Sequence, residues 1–213
     1  MAAPAPLRFL AQSFKNAGTV GAVWPSGKGL SRAMVAPIFS HHNGPLRILE
    51  VGAGVGPFTA ELVERLLPGD LLDVVELNPD FCAVLRTRFL GFPIEPSVHE
   101  VSILDFEPGV RYHHVLSGLP LANFPADVVQ SIYNRMFDLL EPNGTLIMFQ
   151  HVLGRQVLRA FGAPSQRDRA RRIMEIEERL SPLMIDKTTI MLNMPPAQVI
   201  VRRRPHLIEK KSA

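Results

Sequence analysis

The segment RILEVGAGVGPFT, residues 47–59, limits the possible folds of this chain more than any other segment. An apolar run leads into three glycines at alternate positions, Gly52, Gly54 and Gly56. A buried strand that ends in a glycine-rich turn before a helix lets the backbone approach a bound ligand closely. The segment therefore predicts a strand, a ligand-binding turn and a helix.

Strand and helix patterns alternate from residue 46 to residue 150, which favours a doubly wound sheet with helices on both faces. The predicted strands are 46–51, 70–77, 97–104, 112–120 and 144–152, and the helices between and after them are 57–67, 78–89, 126–140, 155–161 and 166–180. Two more strands, near 183–192 and 197–204, are joined closely enough to pair antiparallel. The predicted fold class is α/β, a Rossmann-like sheet of seven strands that is mostly parallel with an antiparallel C-terminal strand.

An acidic residue follows the glycine turn at the distance expected for a nucleoside-binding site. Glu76 closes the second predicted strand, and a carboxylate there can accept hydrogen bonds from both hydroxyls of a ribose. A structural turn beside a solvated glutamate is the alternative. The glycine spacing differs from the dinucleotide fingerprint, and Glu50 stands two residues before Gly52. An anion there repels a pyrophosphate and attracts a cation, such as the sulfonium and ammonium of S-adenosylmethionine.

The motif EVGAGVG resembles the first motif of the class I S-adenosylmethionine-dependent methyltransferases, and LLEPNGTLIMF resembles the approach to their fifth strand. The resemblance implies S-adenosylmethionine as cofactor and S-adenosylhomocysteine as product. It also implies that Glu76 holds the ribose and that Asp105 meets the adenine amine. The full set of implied cofactor-binding residues is Ser26, Glu50, Gly52, Ala53, Gly54, Gly56, Glu76, Leu77, Asp105 and Ser117.

The segment FLAQSFKNAGTVGAVWPSGKGLSRAM, residues 9–34, resembles the opening of the bacterial phospholipid N-methyltransferases. SGLPLANFP and NMPPAQV are similar to later motifs of that family. The resemblance implies methylation of phosphatidylethanolamine and its mono- and dimethyl derivatives towards phosphatidylcholine. Ornithine-lipid methyltransferases share these motifs, and rRNA adenine dimethyltransferases have a similar glycine motif with a different corner after the fourth strand. Methylation of RNA or another amine, or lipid binding without catalysis, therefore remains an alternative.

The first 40 residues are predicted to form helices that cap a single catalytic domain, residues 41–213. An amphipathic helix over 6–16 is expected to lie on an anionic membrane through Leu7, Leu10, Phe14, Arg8 and Lys15. Packing of the same apolar stripe on the protein's own core is the alternative. The formal net charge of +3 favours an anionic partner. Without a signal peptide or an apolar run of ~20 residues, we expect a cytoplasmic protein on the inner face of the plasma membrane.

The corner after the fourth strand is the predicted place for the substrate amine. Ser117 and Asn123 are candidate polar groups for positioning it, and His151 at the end of the fifth strand is the candidate general base. A structural role for His151 is the alternative. The predicted substrate-binding residues are Trp24, Leu119, Pro120, Arg167 and Arg171. The two arginines are as well explained by a solvated helix face.

Metal binding and nucleic-acid binding are not expected from the sequence. Cys82 is the single cysteine, and the pairs His41–His42 and His113–His114 lack metal-ligand spacing. The oligomeric state is left open.

Overall fold

The computed structural model describes residues 27–40, 44–152, 163–191 and 195–204. Seven strands in these ranges form one sheet, in the order β3-β2-β1-β4-β5-β7-β6. The strands are β1 Arg47–Val51, β2 Leu71–Glu76, β3 Ser97–Glu100, β4 Tyr112–Ser117, β5 Leu140–His151, β6 Met184–Ile190 and β7 Ala197–Arg203. β1 to β5 pair in parallel, whereas β7 is antiparallel to both β5 and β6. The predicted fold class is confirmed.

Helices cover both faces of the sheet because successive strand residues point to opposite sides. The helices in the described ranges are α1 Lys28–Val35, α2 Pro57–Val63, α3 Pro79–Arg88, α4 Ala126–Leu139 and α5 Pro164–Arg179. On one face, residues of α1, α2 and α3 pack against Ile48 of β1 and Leu116 of β4. On the other, α4 and α5 pack against Leu49 and Val115, which neighbour those residues in the strands.

α1 packs into the core of the sheet domain. Its Leu30 and Met34 are fully buried, and Ile38 of the following 3₁₀ turn lies in the same cluster. Residues 28–40 of the predicted cap therefore share the core of the catalytic domain. The helix predicted over 6–16 lies outside the described residues, as does the one over 155–161, so the domain division at residue 40 stays a prediction.

Two predicted elements end four residues earlier than expected. The third strand was expected to reach residue 104 but ends at Glu100, because Glu100 pairs with Glu76, the last residue of its neighbour β2. The helix expected over 57–67 ends at Val63, and the Arg65 amide then donates to the Leu62 carbonyl in a tighter turn. Leu67 precedes a proline, which disfavours helical backbone there.

A buried ion pair joins α5 to β7. Arg202 is 2% exposed and donates to the Glu177 carboxylate, which also accepts the hydroxyl of Tyr133 from α4. These contacts fix α5 on the sheet. None of the helices in the described parts of the chain is long and apolar enough to cross a membrane.

Candidate functional site

A cleft opens where the parallel strands end. β1, β2 and β4 finish level with one another, since Val51 pairs with both Val75 and Ser117. The turns that follow these strands therefore meet at one edge of the sheet, together with the turn after β3. They form an open cleft, which is lined by Val51, Gly52, Val75, Leu77, Val101, Ser102, Ile103 and Leu119.

The glycine turn presents bare backbone to this edge. Gly54 has a φ of +57°, in the left-handed region, and a Cβ added to it would meet no atom within 4 Å. Gly52, in contrast, has no room for a side chain, because a Cβ there would lie 2.5 Å from Leu119 Cδ2. The turn is therefore packed tightly against the corner after β4 at Gly52 and open to a ligand at Gly54.

Glu76 holds the turn in place from the end of β2. Its side chain is buried, and its two carboxylate oxygens accept the amide hydrogens of Gly54 and Asn78, each at 2.9 Å. Burial raises the pKa of Glu76, while these amide hydrogen bonds lower it. A carboxylate has about four lone-pair sites, so Glu76 retains acceptor capacity beyond these amides. Glu76 can therefore accept ribose hydroxyls without releasing the turn.

Glu50 is a fully buried carboxyl with one unsatisfied oxygen. Oε2 accepts the hydroxyl of Thr59 at 2.7 Å, whereas Oε1 has no hydrogen-bond partner in the described structure. Burial raises the pKa of Glu50 to about 7. A buried polar atom without a partner needs a donor or a cation. An ammonium or sulfonium group fits that need, so the residues present suit S-adenosylmethionine.

The other predicted cofactor residues divide into three groups. Leu77 lines the cleft, and Ala53 and Ser117 are buried beside it. Asp105 is exposed in the turn after β3, so its contact with an adenine amine stays a prediction. Ser26 lies outside the described residues.

Sequence reasoning missed Ser102 as a cleft residue. Ser102 is buried, lines the cleft and accepts the Leu104 amide hydrogen at 3.2 Å on its hydroxyl. The strand predicted over 97–104 includes this residue. The sequence signal for a turn was weak, because VSILDF contains neither glycine nor proline.

The predicted substrate-binding and catalytic residues are more dispersed than the predicted cofactor-binding residues. Leu119 lies in the cofactor cleft itself, while Pro120 and Asn123 are exposed on the same corner. His151 is exposed at the end of β5, with its ring 5.7 Å from that of Phe149. Trp24 lies outside the described residues. The roles proposed for these side chains stay predictions.

The two predicted substrate-binding arginines lie on the exposed side of α5. Arg171 forms ion pairs with Asp168 at 2.8 Å and Glu175 at 3.6 Å, and Arg167 is exposed. These pairs agree with the alternative of a solvated helix face. Among the residues that the structure describes, no three histidine, cysteine, aspartate or glutamate side chains are grouped so that they could hold a metal ion.

Comparison of the sequence with known proteins identifies relatives that are methyltransferases. The family described as "Methyltransferase domain" matches residues 48–144. An ornithine lipid N-methyltransferase from Singulisphaera acidiphila is 31% identical over 142 residues, which cover 64% of this chain and 73% of that protein. A ribosomal RNA small subunit methyltransferase A from Marinobacter nauticus is 31% identical over 119 residues, covering 54% of this chain and 39% of that protein.

Solved structures share the architecture at low sequence identity. The magnesium protoporphyrin IX methyltransferase of Synechocystis with bound S-adenosylmethionine gives a TM-score of 0.66 at 14% identity, covering 96% of this chain and 99% of that one. The N-methyltransferase NodS of Bradyrhizobium japonicum with S-adenosylhomocysteine gives 0.63 at 15% identity, covering 95% and 100%. These likenesses establish the fold.

Replacing Gly54 by alanine will weaken binding of S-adenosylmethionine, because a methyl group there occupies the open side of the turn. Gly91→Ala is the matched control, since Gly91 also has a positive φ and a Cβ added to it would meet no atom within 4 Å. Titration calorimetry should give a dissociation constant at least ten times that of the control. Equal affinities for the two variants would mean that the open face at Gly54 does not receive the cofactor.

The affinity for S-adenosylmethionine will rise with pH through the pKa of Glu50, which lies at about 7. Below that value the carboxyl must lose a proton before it can pair with a cation. We expect the dissociation constant to fall about ten-fold between pH 6 and pH 8 in the wild type, relative to Glu50→Gln at the same pH values. Parallel curves for the two proteins would rule out this role of Glu50.

The same group makes the ligand-free protein less stable as pH rises. The folded-state pKa of Glu50 lies above its ordinary value of 4.5. Its contribution to folding is therefore fully present below pH 4.5 and is lost as pH rises through about 7. Thermal unfolding of the wild type and Glu50→Gln across this range measures the loss, and no difference in slope would contradict it.

Proposed function

Because the chain belongs to the class I S-adenosylmethionine-dependent methyltransferases, we propose that it methylates the aliphatic amine of a membrane-lipid headgroup. Phosphatidylethanolamine is the substrate that the N-terminal motifs favour, with successive transfers towards phosphatidylcholine. Ornithine lipid is the second candidate, because one relative is named as an ornithine lipid N-methyltransferase and the matched residues cover 73% of that protein. Both carry an aliphatic amine, so one positioning mechanism serves either.

The corner after β4 is the observation that favours a lipid amine over a nucleobase as the substrate. Enzymes that act on a nucleobase commonly hold it by stacking it on aromatic side chains. In residues 117–125, all of which the structure describes, the single aromatic is Phe124, which is 1% exposed and packed in the core. It is not available to stack on a planar base. Leu119 and Leu121 make the inner side of the corner apolar instead.

The side chains of the cleft act mainly by positioning. Bound S-adenosylmethionine supplies an electrophilic methyl group on its sulfonium sulfur. Glu76 and the Gly54 backbone hold the nucleoside half, and Glu50 holds a cationic part of the other half. Leu119 shields the region between them from water. Correct alignment of the reacting atoms is worth ~7–11 kcal/mol.

The amine must lose a proton before it can attack the methyl group. A primary alkyl ammonium resembles that of lysine, with a pKa of about 10.4 in water, so a base or a desolvating pocket is required. His151 is our proposed base because it ends β5 at the same edge as the cleft. Ser117 and Asn123 are the proposed polar groups around the amine.

Replacing His151 by glutamine will cut turnover at least ten-fold if His151 takes the proton, and affinity for S-adenosylmethionine will not change. Turnover is measured with labelled cofactor over pH 6 to 9, since loss of a base removes the rising limb of the profile. Unchanged turnover with an unchanged profile would exclude His151.

The proposed function also includes a cellular location. We propose that the protein works in the cytoplasm at the inner face of the plasma membrane. Its N-terminal segment would contact anionic lipid through Leu7, Leu10, Phe14, Arg8 and Lys15, which lie outside the described residues. An RNA substrate is the alternative, supported by the partial match to a ribosomal RNA methyltransferase.

A direct assay separates these substrates. Purified protein and labelled S-adenosylmethionine are offered, in parallel, vesicles with phosphatidylethanolamine, vesicles with ornithine lipid, and total RNA. We expect label in a lipid amine, and the vesicle type that accepts it identifies the headgroup. Label in RNA alone, or in none of the three, would contradict the proposed function.

A further inference from the structure

The end of β5 carries a buried hydrogen-bond acceptor that the fold does not satisfy. Gln150 is the penultimate residue of β5, and its Oε1 is buried without a hydrogen-bond partner in the described structure. Such an oxygen is unfavourable unless a donor reaches it. Among the buried side-chain atoms of the described ranges that lack a partner, only Gln150 Oε1 and Glu50 Oε1 are acceptors. We have assigned Glu50 to a cationic part of the cofactor, so Gln150 needs a donor of its own.

Contacts with the neighbouring strands fix the orientation of Gln150. It pairs with Gln198 of β7, which pairs with Thr189 of β6, and directly paired residues point to the same face of a sheet. Gln150 Nε2 donates to Gln198 Oε1 at 3.5 Å, and Gln198 Nε2 donates to the Thr189 hydroxyl at 3.4 Å. Because the oxygen and nitrogen of an amide point in different directions, Gln150 Oε1 faces away from β7. It therefore lies on the side of β4, the other neighbour of β5.

This side of Gln150 is the corner after β4. Ser117, the last residue of β4, pairs with Met148, and Gln150 lies two residues further along β5 on the same face of the sheet. Leu119, two residues beyond Ser117, lines the cofactor cleft. The strand order β1-β4-β5 places the corner between the glycine turn and the end of β5. Gln150 Oε1 therefore approaches, from β5, the corner that we propose for the substrate amine.

A neutral acceptor suits an amine that has to attack. A carboxylate in this place would stabilise the ammonium form and raise the pKa of the bound amine, which opposes the loss of its proton. The amide oxygen of Gln150 accepts an N–H without adding a charge. The amine nitrogen forms its bond to the methyl carbon as the carbon–sulfur bond breaks and its electron pair stays on sulfur. Positive charge then develops on the nitrogen, which strengthens the hydrogen bond in the transition state.

We propose that Gln150 Oε1 accepts a hydrogen bond from the substrate amine and so holds its nitrogen in line with the methyl group. The inference rests on the proposed function, in which a lipid amine accepts the methyl group, and it adds a dependence on the degree of methylation. A primary or monomethylated amine carries an N–H while it attacks, whereas a dimethylated amine does not. Gln150 therefore assists the first two transfers and not the third.

Transfer to amines with different numbers of N–H groups tests this role in the full-length protein. Gln150→Met removes the acceptor and keeps the length of the side chain. Thr189→Val is the matched control, because it removes a hydrogen bond at the β6 end of the same row of side chains. The proteins receive labelled S-adenosylmethionine and vesicles with phosphatidylethanolamine or its mono- or dimethylated form, and ornithine lipid with the same three amines in parallel.

The expected result is a loss that depends on the amine. In Gln150→Met, kcat/KM should fall about ten-fold for the primary and monomethylated amines, because a hydrogen bond to a developing charge is lost. For the dimethylated amine it should change by no more than about two-fold, since no N–H is present to donate. Thr189→Val should behave like the wild type with all three amines.

A second variant gives a readout that needs only the primary amine. Gln150→Glu keeps an acceptor and adds a negative charge beside the nitrogen, so the rising limb of the pH profile for the first transfer should move to higher pH. The wild type and Thr189→Val should share one midpoint. Affinity for S-adenosylmethionine, measured by calorimetry, should be equal in all four proteins, which shows that the variants are folded.

The outcomes separate positioning from a structural role. An equal loss with all three amines, no loss with any of them, or an unmoved midpoint in Gln150→Glu would overturn the inference and leave the proposed function standing. The same amine dependence in Thr189→Val would also overturn it. A wild type that methylates no lipid amine would refute the proposed function, and the inference with it.

Discussion

The carboxylate of Glu76 organises the ligand-binding edge of this protein. It ends β2 in a buried position and accepts the amide hydrogens of Gly54 and Asn78, so it ties the turn after β1 to the start of α3. A buried carboxylate is unfavourable unless it is hydrogen-bonded. The glycine turn satisfies Glu76, and Glu76 in turn fixes the turn. Glu50, on the neighbouring strand, has one such bond and one unsatisfied oxygen, which leaves a place for a cation.

Local features of this edge were predictable from the sequence, and features that depend on neighbours were not. The glycine motif, Glu76 and the start of α3 follow from short-range patterns, and the Asn78 side chain caps α3 by accepting the Asp80 amide hydrogen. The early end of β3 was not predictable, because it depends on where β2 ends. The position of Leu119 in the lining of the cleft was not predictable either, since its packing on Gly52 joins two turns distant in sequence.

The cleft and the corner after β4 lie at the same edge of the sheet, and they differ in what they say about the substrate. The cleft accounts for a cofactor with a nucleoside and a cationic group, a property shared by enzymes with many substrates. The corner after β4 narrows the choice, because its aromatic side chain is turned into the core. The cofactor-binding cleft and the corner after β4 rest largely on different residues, so the conclusions drawn from them can fail separately.

The crystal structure of this protein with S-adenosylhomocysteine tests the central claim most directly. We predict that both ribose hydroxyls lie within hydrogen-bond distance of the Glu76 carboxylate while the Gly54 and Asn78 amides still donate to it. The amino group of the ligand should lie on the side of Glu50. A ligand bound away from the glycine turn, or a Glu76 side chain that releases Gly54 to reach it, would contradict this account.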